Sequence, residues 1–180
     1  MAELESAVAY WKASQYDYLN ADASGKWLDL SGGGHDGTIS GATFRSWPGY
    51  NYLYSSDDAS AELETPDHAD FDITGDIDVR GWGSLRNLSS SSDSYGYSKW
   101  LSGTQESILA AALDAASDGL KVYWSEDGST LISEVSTVTW ASVGIGNDDW
   151  FGWRITMEID DGACNFYYRT DGPENIDSDS

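Results

Sequence analysis

Short segments in which apolar and polar side chains alternate, separated by glycine-containing turns, recur along this 180-residue sequence. Ile77–Leu85, Leu120–Ser125 and Trp150–Ile159 all show this period of two residues. Such a period is typical of a β-strand with one buried face. The Asp-Asp-Gly that follows Trp150–Ile159 predicts a hairpin with Ala163–Thr170. The pattern therefore predicts a fold of short antiparallel strands.

Several less regular segments are also predicted to be strands. Ser6–Ala13 has an apolar body, and Ser107–Ala116 is assigned as a buried strand, although its alanines also suit a helix. The serine run within Leu88–Ser94 predicts a surface loop. The remaining predicted strands are Thr38–Phe44, Tyr52–Tyr54, Ala61–Leu63, Lys99–Ser102 and Leu131–Trp140. About ten short strands fit an all-β, antiparallel two-sheet sandwich.

Length and composition set limits on the organisation of the chain. A chain of 180 residues suits one domain, so we expect one sandwich over residues 1–170 and an acidic, loose tail over residues 171–180. The single cysteine, Cys164, excludes an internal disulfide and is expected to be a small buried side chain. Residues 1–5 lack the features of a secretory signal, and no apolar run is long enough for a transmembrane helix.

The charge of the chain is strongly unbalanced. Its 31 acidic residues outnumber nine Lys and Arg, which gives a net charge of −22. A field of that sign repels phosphate backbones and anionic lipid headgroups. We therefore expect neither nucleic-acid binding nor membrane insertion.

An ordered set of motifs gives the chain a family resemblance. Ala7–Lys12 is aromatic, and Trp27–Phe44 contains the turn Asp-Leu-Ser-Gly-Gly-Gly-His-Asp-Gly-Thr. These residues resemble the opening of concanavalin A-like domains of the laminin-G and pentraxin type, in which Asn usually stands at the position of Gly33. Ala61–Arg80 and Trp150–Tyr168 are similar to later parts of that fold, especially in versions carried by tailed phages. The resemblance implies a jelly-roll sandwich.

Family members usually have further strands after the one that corresponds to Phe166–Arg169. The resemblance thus implies that the sandwich is incomplete over these residues or is completed by a partner subunit, because an uncovered edge strand favours aggregation.

The same fold class contains glycoside hydrolases, whose retaining chemistry needs two carboxylates about 5–5.5 Å apart. The nearest spacing is Glu158 with Asp160, but Asp160–Gly162 is better explained as a turn. The run Gly32–Gly34 is not followed by Lys, so it is a turn and not a phosphate-binding loop. We therefore assign no catalytic residue and expect that the protein is not an enzyme.

Two kinds of binding site remain open. Calcium is one alternative, because carboxylates cluster in the chain, and the candidate ligands are Asp76, Asp78, Asp148 and Asp149. Sugar binding is the other, because apolar sugar faces pack on aromatic rings. The candidate residues are Trp47, Tyr50 and Tyr52, followed by Trp150 and Trp153. The competing interpretation is that these rings fill a core or a subunit interface.

The leading functional hypothesis is a non-enzymatic virion structural or display protein of a tailed phage or archaeal virus, as a capsid decoration, fibre or tail-associated domain. The alternative is a lectin-like carbohydrate-binding module for adhesion to host glycans, and a glycoside hydrolase is less favoured. The expected partners are other virion subunits or further copies of the chain, together with surface glycans. The expected location is the virion, or the extracellular space without a classical signal peptide.

Overall fold

The computed structural model describes residues 7–11, 26–47, 50–55, 62–88, 94–99, 108–114, 118–125, 129–158 and 160–170. Within these ranges every strand pairing is antiparallel, the only helical elements are two short 3₁₀ turns, and there is no α-helix. The all-β prediction is therefore confirmed at the level of class. The chain divides into two compact units, residues 1–71 and residues 72–180, which are described separately. One sandwich over residues 1–170 stays a prediction.

The first unit contains a three-stranded sheet, a separate hairpin and a 3₁₀ turn at Ala69–Phe71. The sheet has the order β1-β2-β5, and the hairpin joins β3 to β4. The strands are β1 (Lys26–Trp27), β2 (Gly37–Ser40), β3 (Ala42–Trp47), β4 (Tyr50–Ser55) and β5 (Glu62–Glu64). The predicted strand Thr38–Phe44 is in fact divided between β2 and β3, because Gly41 adopts a left-handed φ of 66°.

Asp29 holds the glycine-rich turn of the first unit. Its carboxylate accepts hydrogen bonds from the backbone N–H groups of Tyr10, Ser31 and His35 at 2.9–3.1 Å. The prediction of a strand at Ser6–Ala13 is wrong for residues 7–11, which form no strand. The Tyr10 N–H donates to the Asp29 carboxylate and the Tyr10 carbonyl accepts the Leu30 N–H, so a side chain takes the place of a neighbouring strand.

The second unit contains two antiparallel sheets, one of four strands in the order β10-β9-β8-β7 and one of three strands in the order β12-β11-β6. Its strands are β6 (Ile77–Ser84), β7 (Ser94–Ser98), β8 (Ile108–Asp114), β9 (Gly119–Ser125), β10 (Ile132–Thr139), β11 (Trp150–Glu158) and β12 (Ala163–Arg169). The strand predicted at Ser107–Ala116 is confirmed as β8. The strand predicted at Lys99–Ser102 is wrong at Lys99, where β7 has already ended, and its other residues lie outside the described ranges.

A hydrophobic core joins the two sheets of the second unit, as the period of two predicted for β9 and β11 requires. Each buried aliphatic or aromatic side chain contributes about 1.5–3 kcal/mol. The core cluster consists of Ile77, Leu88, Leu120, Val122, Trp124, Trp140, Ile145, Phe151, Trp153, Ile155 and Met157.

Trp153 spans the space between the sheets because two glycines leave room for its indole ring. A Cβ atom built on Gly81 of β6 would lie 2.4 Å from that ring, and one built on Gly96 of β7 would lie 2.3 Å from it. Gly81 is also the register partner of Trp153. Any larger residue at either glycine would collide with the indole.

Two side chains of β12 complete this packing. The Tyr168 hydroxyl donates to the Val138 carbonyl at 2.9 Å and accepts from the Leu120 N–H at 3.1 Å, so it ties β12 to the other sheet. Cys164 is partly buried against the core, in agreement with its predicted role. Burial, with the nearby charge of Glu134, raises the pKa of its thiol, which keeps the sulfur protonated and unreactive.

Candidate functional site

Aromatic and arginine side chains are concentrated on one side of the sheet β12-β11-β6 in the second unit. This side points away from the core and is here called the outer face. Its register places residues in rows across β6, β11 and β12. The rows are Ser84–Trp150, then Trp82–Gly152–Arg169, then Arg80–Arg154–Tyr167, and finally Asp78–Thr156–Asn165. Three of the nine Lys and Arg residues of this acidic chain therefore lie on one face of one small sheet.

Trp82 lies flat on the sheet because its neighbour across the ladder is a glycine. A Cβ atom built on Gly152 would lie 2.9 Å from the six-membered ring of Trp82 and 3.5 Å from the Arg169 Cβ. The missing side chain therefore leaves a depression that the indole covers. Trp82 itself is partly exposed.

Asp78 fixes the two arginines that stand opposite each other on β6 and β11. Its carboxylate accepts hydrogen bonds from Nε and Nη2 of Arg80 at 2.8–3.3 Å and from Nε and Nη2 of Arg154 at 2.9–3.0 Å. Burial acts to raise the pKa of Asp78, but the hydrogen bonds and charges of the two guanidinium groups outweigh it and hold the pKa below its ordinary value. The network is thus a rigid, charged cluster at neutral pH.

Two further rings are open to solvent beside this network. The Arg154 guanidinium carbon lies 5.2 Å from the centre of the Tyr167 ring, a cation–π contact. Tyr167 is 48% exposed and Trp150, one row beyond Trp82, is 42% exposed. The outer face therefore combines accessible ring surface with positioned donors and acceptors.

The four-stranded sheet offers a comparison with the outer face. On β9 the Lys121 ammonium lies 4.6 Å from the centre of the Tyr123 ring, which resembles the Arg154–Tyr167 contact. The register partners of Lys121 and Tyr123 on β8, however, are Ala112 and Ala110. On the other side, their register partners on β10 are Val135 and Ser133, so no tryptophan or arginine is paired with either residue.

The predicted sugar-binding residues of β11 separate onto different sides of the strand. Trp150 lies on the outer face, whereas Trp153 is 8% exposed and lies in the core. A ring enclosed by the Gly81 and Gly96 backbones cannot stack on a sugar. Of the two tryptophans, only Trp150 is positioned for ligand contact.

The other predicted sugar-binding residues belong to the β3–β4 hairpin of the first unit. The backbone register pairs Trp47 with Tyr50 and Arg45 with Tyr52. Tyr52 is partly exposed, and the side chains of Trp47 and Tyr50 lie outside the described part of the structure. The role of this hairpin stays a prediction.

The predicted calcium ligands are distributed over separate contacts. Asp78 is occupied by its two arginines. Asp149 Oδ2 accepts the Gly146 N–H at 2.8 Å, which closes a turn, while Asp148 takes a left-handed φ of 64° and Asp76 is exposed. Among the described residues, the one group of three candidate metal ligands lies elsewhere, at His35, His68 and Asp70.

The carboxylates considered for hydrolysis lie at the end of β11. Glu158 is exposed, and its carbonyl accepts the Gly162 N–H at 2.9 Å. Asp161 accepts the Ala163 N–H at 2.9 Å, so this side chain stabilises the predicted hairpin turn.

Sequence reasoning missed most of the outer face, although one signal was present. The alternation in β6 already separated Asp78, Arg80 and Trp82 from the apolar positions. That Tyr167 and Arg154 stand beside them depends on which strands flank β11, and alternation within a single strand does not identify its neighbours.

No helix among the described residues has the length and apolar character that crossing a bilayer requires. Comparisons of the chain with models of protein families, with curated proteins and with solved structures found no match. The resemblance to concanavalin A-like domains therefore remains a prediction from sequence motifs.

Proposed function

We propose that this chain is a non-enzymatic carbohydrate-binding β-domain and that its outer face takes a glycan. The observation that carries the proposal is the arrangement of Trp82, Trp150 and Tyr167 around the network of Arg80, Asp78 and Arg154. Aromatic surface next to fixed polar groups is the combination that a sugar needs.

The chemistry of a pyranose ring matches both parts of the outer face. Its axial C–H groups form an apolar surface that packs against an aromatic ring, as Trp150 and Tyr167 are exposed enough to allow. Its hydroxyl oxygens accept hydrogen bonds, so they suit the guanidinium donors of the outer face. Since these polar groups are already held in place, binding does not require their ordering.

The shape of a sheet face favours an extended ligand over a single enclosed one. The aromatic and polar rows follow one another along the strands, and consecutive rows on one face are about 6.6–6.8 Å apart because the rise is about 3.3–3.4 Å per residue. The outer face thus presents several adjacent contact points. We therefore propose an oligosaccharide as the ligand.

The proposal includes a jelly-roll arrangement of the concanavalin A type. Two antiparallel sheets that share one core are compatible with such a sandwich. The motif Asp29-x-Ser31-Gly32, whose carboxylate closes the glycine-rich turn, also supports it.

The experiment is a glycan array followed by calorimetric titration with the best ligand. Trp82→Ala and Tyr167→Ala are each expected to weaken binding by a factor of about 2 to 13, because an aromatic contact contributes about 0.5–1.5 kcal/mol. The matched control is Tyr123→Ala, which removes a ring with a similar cation contact from the four-stranded sheet and leaves the affinity unchanged.

Circular dichroism and thermal unfolding identify variants that have lost the fold. An array without signal would contradict the proposal, and so would a ligand whose affinity falls as much in Tyr123→Ala as in Tyr167→Ala.

A second candidate function, display on a virion, is supported by strand β12, which forms one edge of the sheet β12-β11-β6. Within the described ranges β12 pairs with β11 on one side only. An exposed strand edge can pair with another chain, and in this proposal a neighbouring subunit covers it. Detection of the chain in purified particles by mass spectrometry supports this function, and its absence from them contradicts it. Glycan binding and display are compatible.

A further inference from the structure

Both histidines of the chain meet at one carboxylate of the first unit. His35 Nε2 lies 3.1 Å from Asp70 Oδ2, and His68 Nδ1 lies 3.3 Å from the same oxygen. The two imidazole rings are 4.8 Å apart, edge to face. The sequence contains only two histidines, and both lie in this cluster.

The backbone positions His35 from both sides. Its N–H donates to Asp29 Oδ2 at 3.1 Å, and its carbonyl accepts the indole N–H of Trp11 at 3.1 Å. Its side chain is 4% exposed, and its ring lies 4.6 Å from that of Phe71. The direction of His35 Nε2 is therefore fixed before any ligand arrives.

A 3₁₀ turn positions the other two side chains. The Phe71 N–H donates to the His68 carbonyl at 3.0 Å, which holds the turn closed. The Asp70 N–H donates to His68 Nδ1 at 3.2 Å. The side chains of His68 and Asp70 are 54% and 52% exposed, so the cluster has one buried wall and one side that opens to solvent.

We propose that His35, His68 and Asp70 form a Zn²⁺ site, which goes beyond glycan binding and lies in the other unit of the chain. Zn²⁺ binds His nitrogen and carboxylate oxygen at about 2.0–2.2 Å, so neighbouring ligand atoms of a tetrahedral site are about 3.3–3.5 Å apart. The two distances to Asp70 Oδ2 are close to that separation. The three ligand atoms lie within 4.8 Å of one another, so binding brings the two histidine nitrogens closer together.

The donor set favours Zn²⁺ over the hard cations. Imidazole nitrogen suits zinc and its neighbours in the first transition row, whereas Ca²⁺ and Mg²⁺ require oxygen ligands. Binding exchanges the hydrogen bond from the Asp70 N–H to His68 Nδ1 for a bond to the metal. The fourth position faces the exposed side, where water completes the coordination.

Burial of His35 alone does not explain the arrangement. One carboxylate satisfies the ring nitrogen of a buried histidine, and Asp70 already does so. His68 is more than half exposed, and its Nδ1, which accepts the Asp70 N–H, lies 3.3 Å from the same oxygen. A cation bound between the three side chains would contact all three ligand atoms.

The test uses the full chain, stripped of metal with a chelator, and Zn²⁺ alone as the probe. Calorimetry is expected to give one site per chain. Because the chain has two histidines, long-range ¹H–¹⁵N spectra of their rings report on each ligand separately, and both rings are expected to shift together. Ca²⁺ and Mg²⁺ in excess are expected to leave these ring signals in place, which separates the site from the acidic surface.

His68→Gln and Asp70→Asn are each expected to weaken Zn²⁺ binding at least about tenfold, since changes in even the outer shell of a metal site cost about 10–100-fold. The matched control Asp67→Asn removes the same charge beside the cluster and keeps the affinity. The proposal is overturned if Zn²⁺ binds without saturation, if only one histidine ring shifts, or if the control weakens binding as much as Asp70→Asn. The wild-type ring spectra decide the matter even if a variant fails to fold.

Discussion

Each of the two units is stabilised internally by a different kind of interaction. The second unit is organised around a core of eleven buried apolar side chains shared by two sheets. In the first unit the described buried side chains are His35 and Phe71, and the glycine-rich turn is held by hydrogen bonds to the Asp29 carboxylate. Two units of one chain can therefore rely on different frameworks, one apolar and the other polar.

This difference determines where each candidate site lies. In the second unit the core faces of the strands are occupied, so the outer face is left for ligand contact. In the first unit one buried polar side chain, His35, carries its hydrogen-bonding group to the exposed Asp70, and the histidine cluster forms there. Substitutions that disrupt the apolar core of the second unit or the polar contacts of the first unit test this difference.

The largest effect is expected from Trp153→Ala in the second unit. Removing the indole between the two glycines leaves a cavity and is expected to lower the free energy of unfolding by about 3–5 kcal/mol. Urea unfolding followed by circular dichroism measures the change. Trp150→Ala, which removes the same side chain from the outer face, is expected to change stability by less than about 0.5 kcal/mol. An equal decrease in the free energy of unfolding for the two variants would show that Trp150 is buried and that the outer face is not accessible.

A smaller effect is expected from Asp29→Asn in the first unit. The substitution removes the charge from an acceptor that holds three backbone N–H groups, at a cost of about 1–3 kcal/mol. Hydrogen exchange at the Tyr10 and His35 amides is expected to accelerate, while the same measurement on Glu64→Gln, an exposed strand residue, shows no change. Unchanged protection in Asp29→Asn would mean that the polar framework is dispensable.

The smallest effect is a pH dependence at the same carboxylate. Burial acts to raise the pKa of Asp29, but the hydrogen bonds from Tyr10, Ser31 and His35 lower it to about 2. Because the folded-state pKa is depressed, the stabilisation is complete above the ordinary value of 3.8 and is lost as the pH falls from there to about 2. The amide shifts of Tyr10 and His35 are expected to titrate with a midpoint near 2, and a midpoint near 4 would contradict the proposed hydrogen bonding.

The sequence predicted the second unit better than the first for a physical reason. Alternation marks strands that pack on an apolar core, and it identified β9, β11 and β12 with nearly their observed bounds. The sequence also shows that Trp150 and Trp153 cannot share a face, because residues three apart in a strand lie on opposite sides of it. The predicted pair could therefore never have formed one sugar platform.

The polar framework left no comparable periodicity in the sequence. The positive φ angles of Gly32 and Gly34 follow the predicted turn, but nothing in the local sequence indicates that Asp29 reaches back to Tyr10. His35 and His68 come together only through the pairing of β2 with β5 and the 3₁₀ turn that follows. Such contacts depend on long-range register, which side-chain patterns specify weakly.

Titration of the ¹⁵N-labelled chain with the oligosaccharide selected on the array shows whether the glycan binds at the outer face. We expect shifts in the indole N–H signals of Trp82 and Trp150 and in the amides of Arg154, Tyr167 and Arg169, with the β9 signals unchanged. Shifts confined to the β3–β4 hairpin would place the ligand in the first unit and contradict the claim.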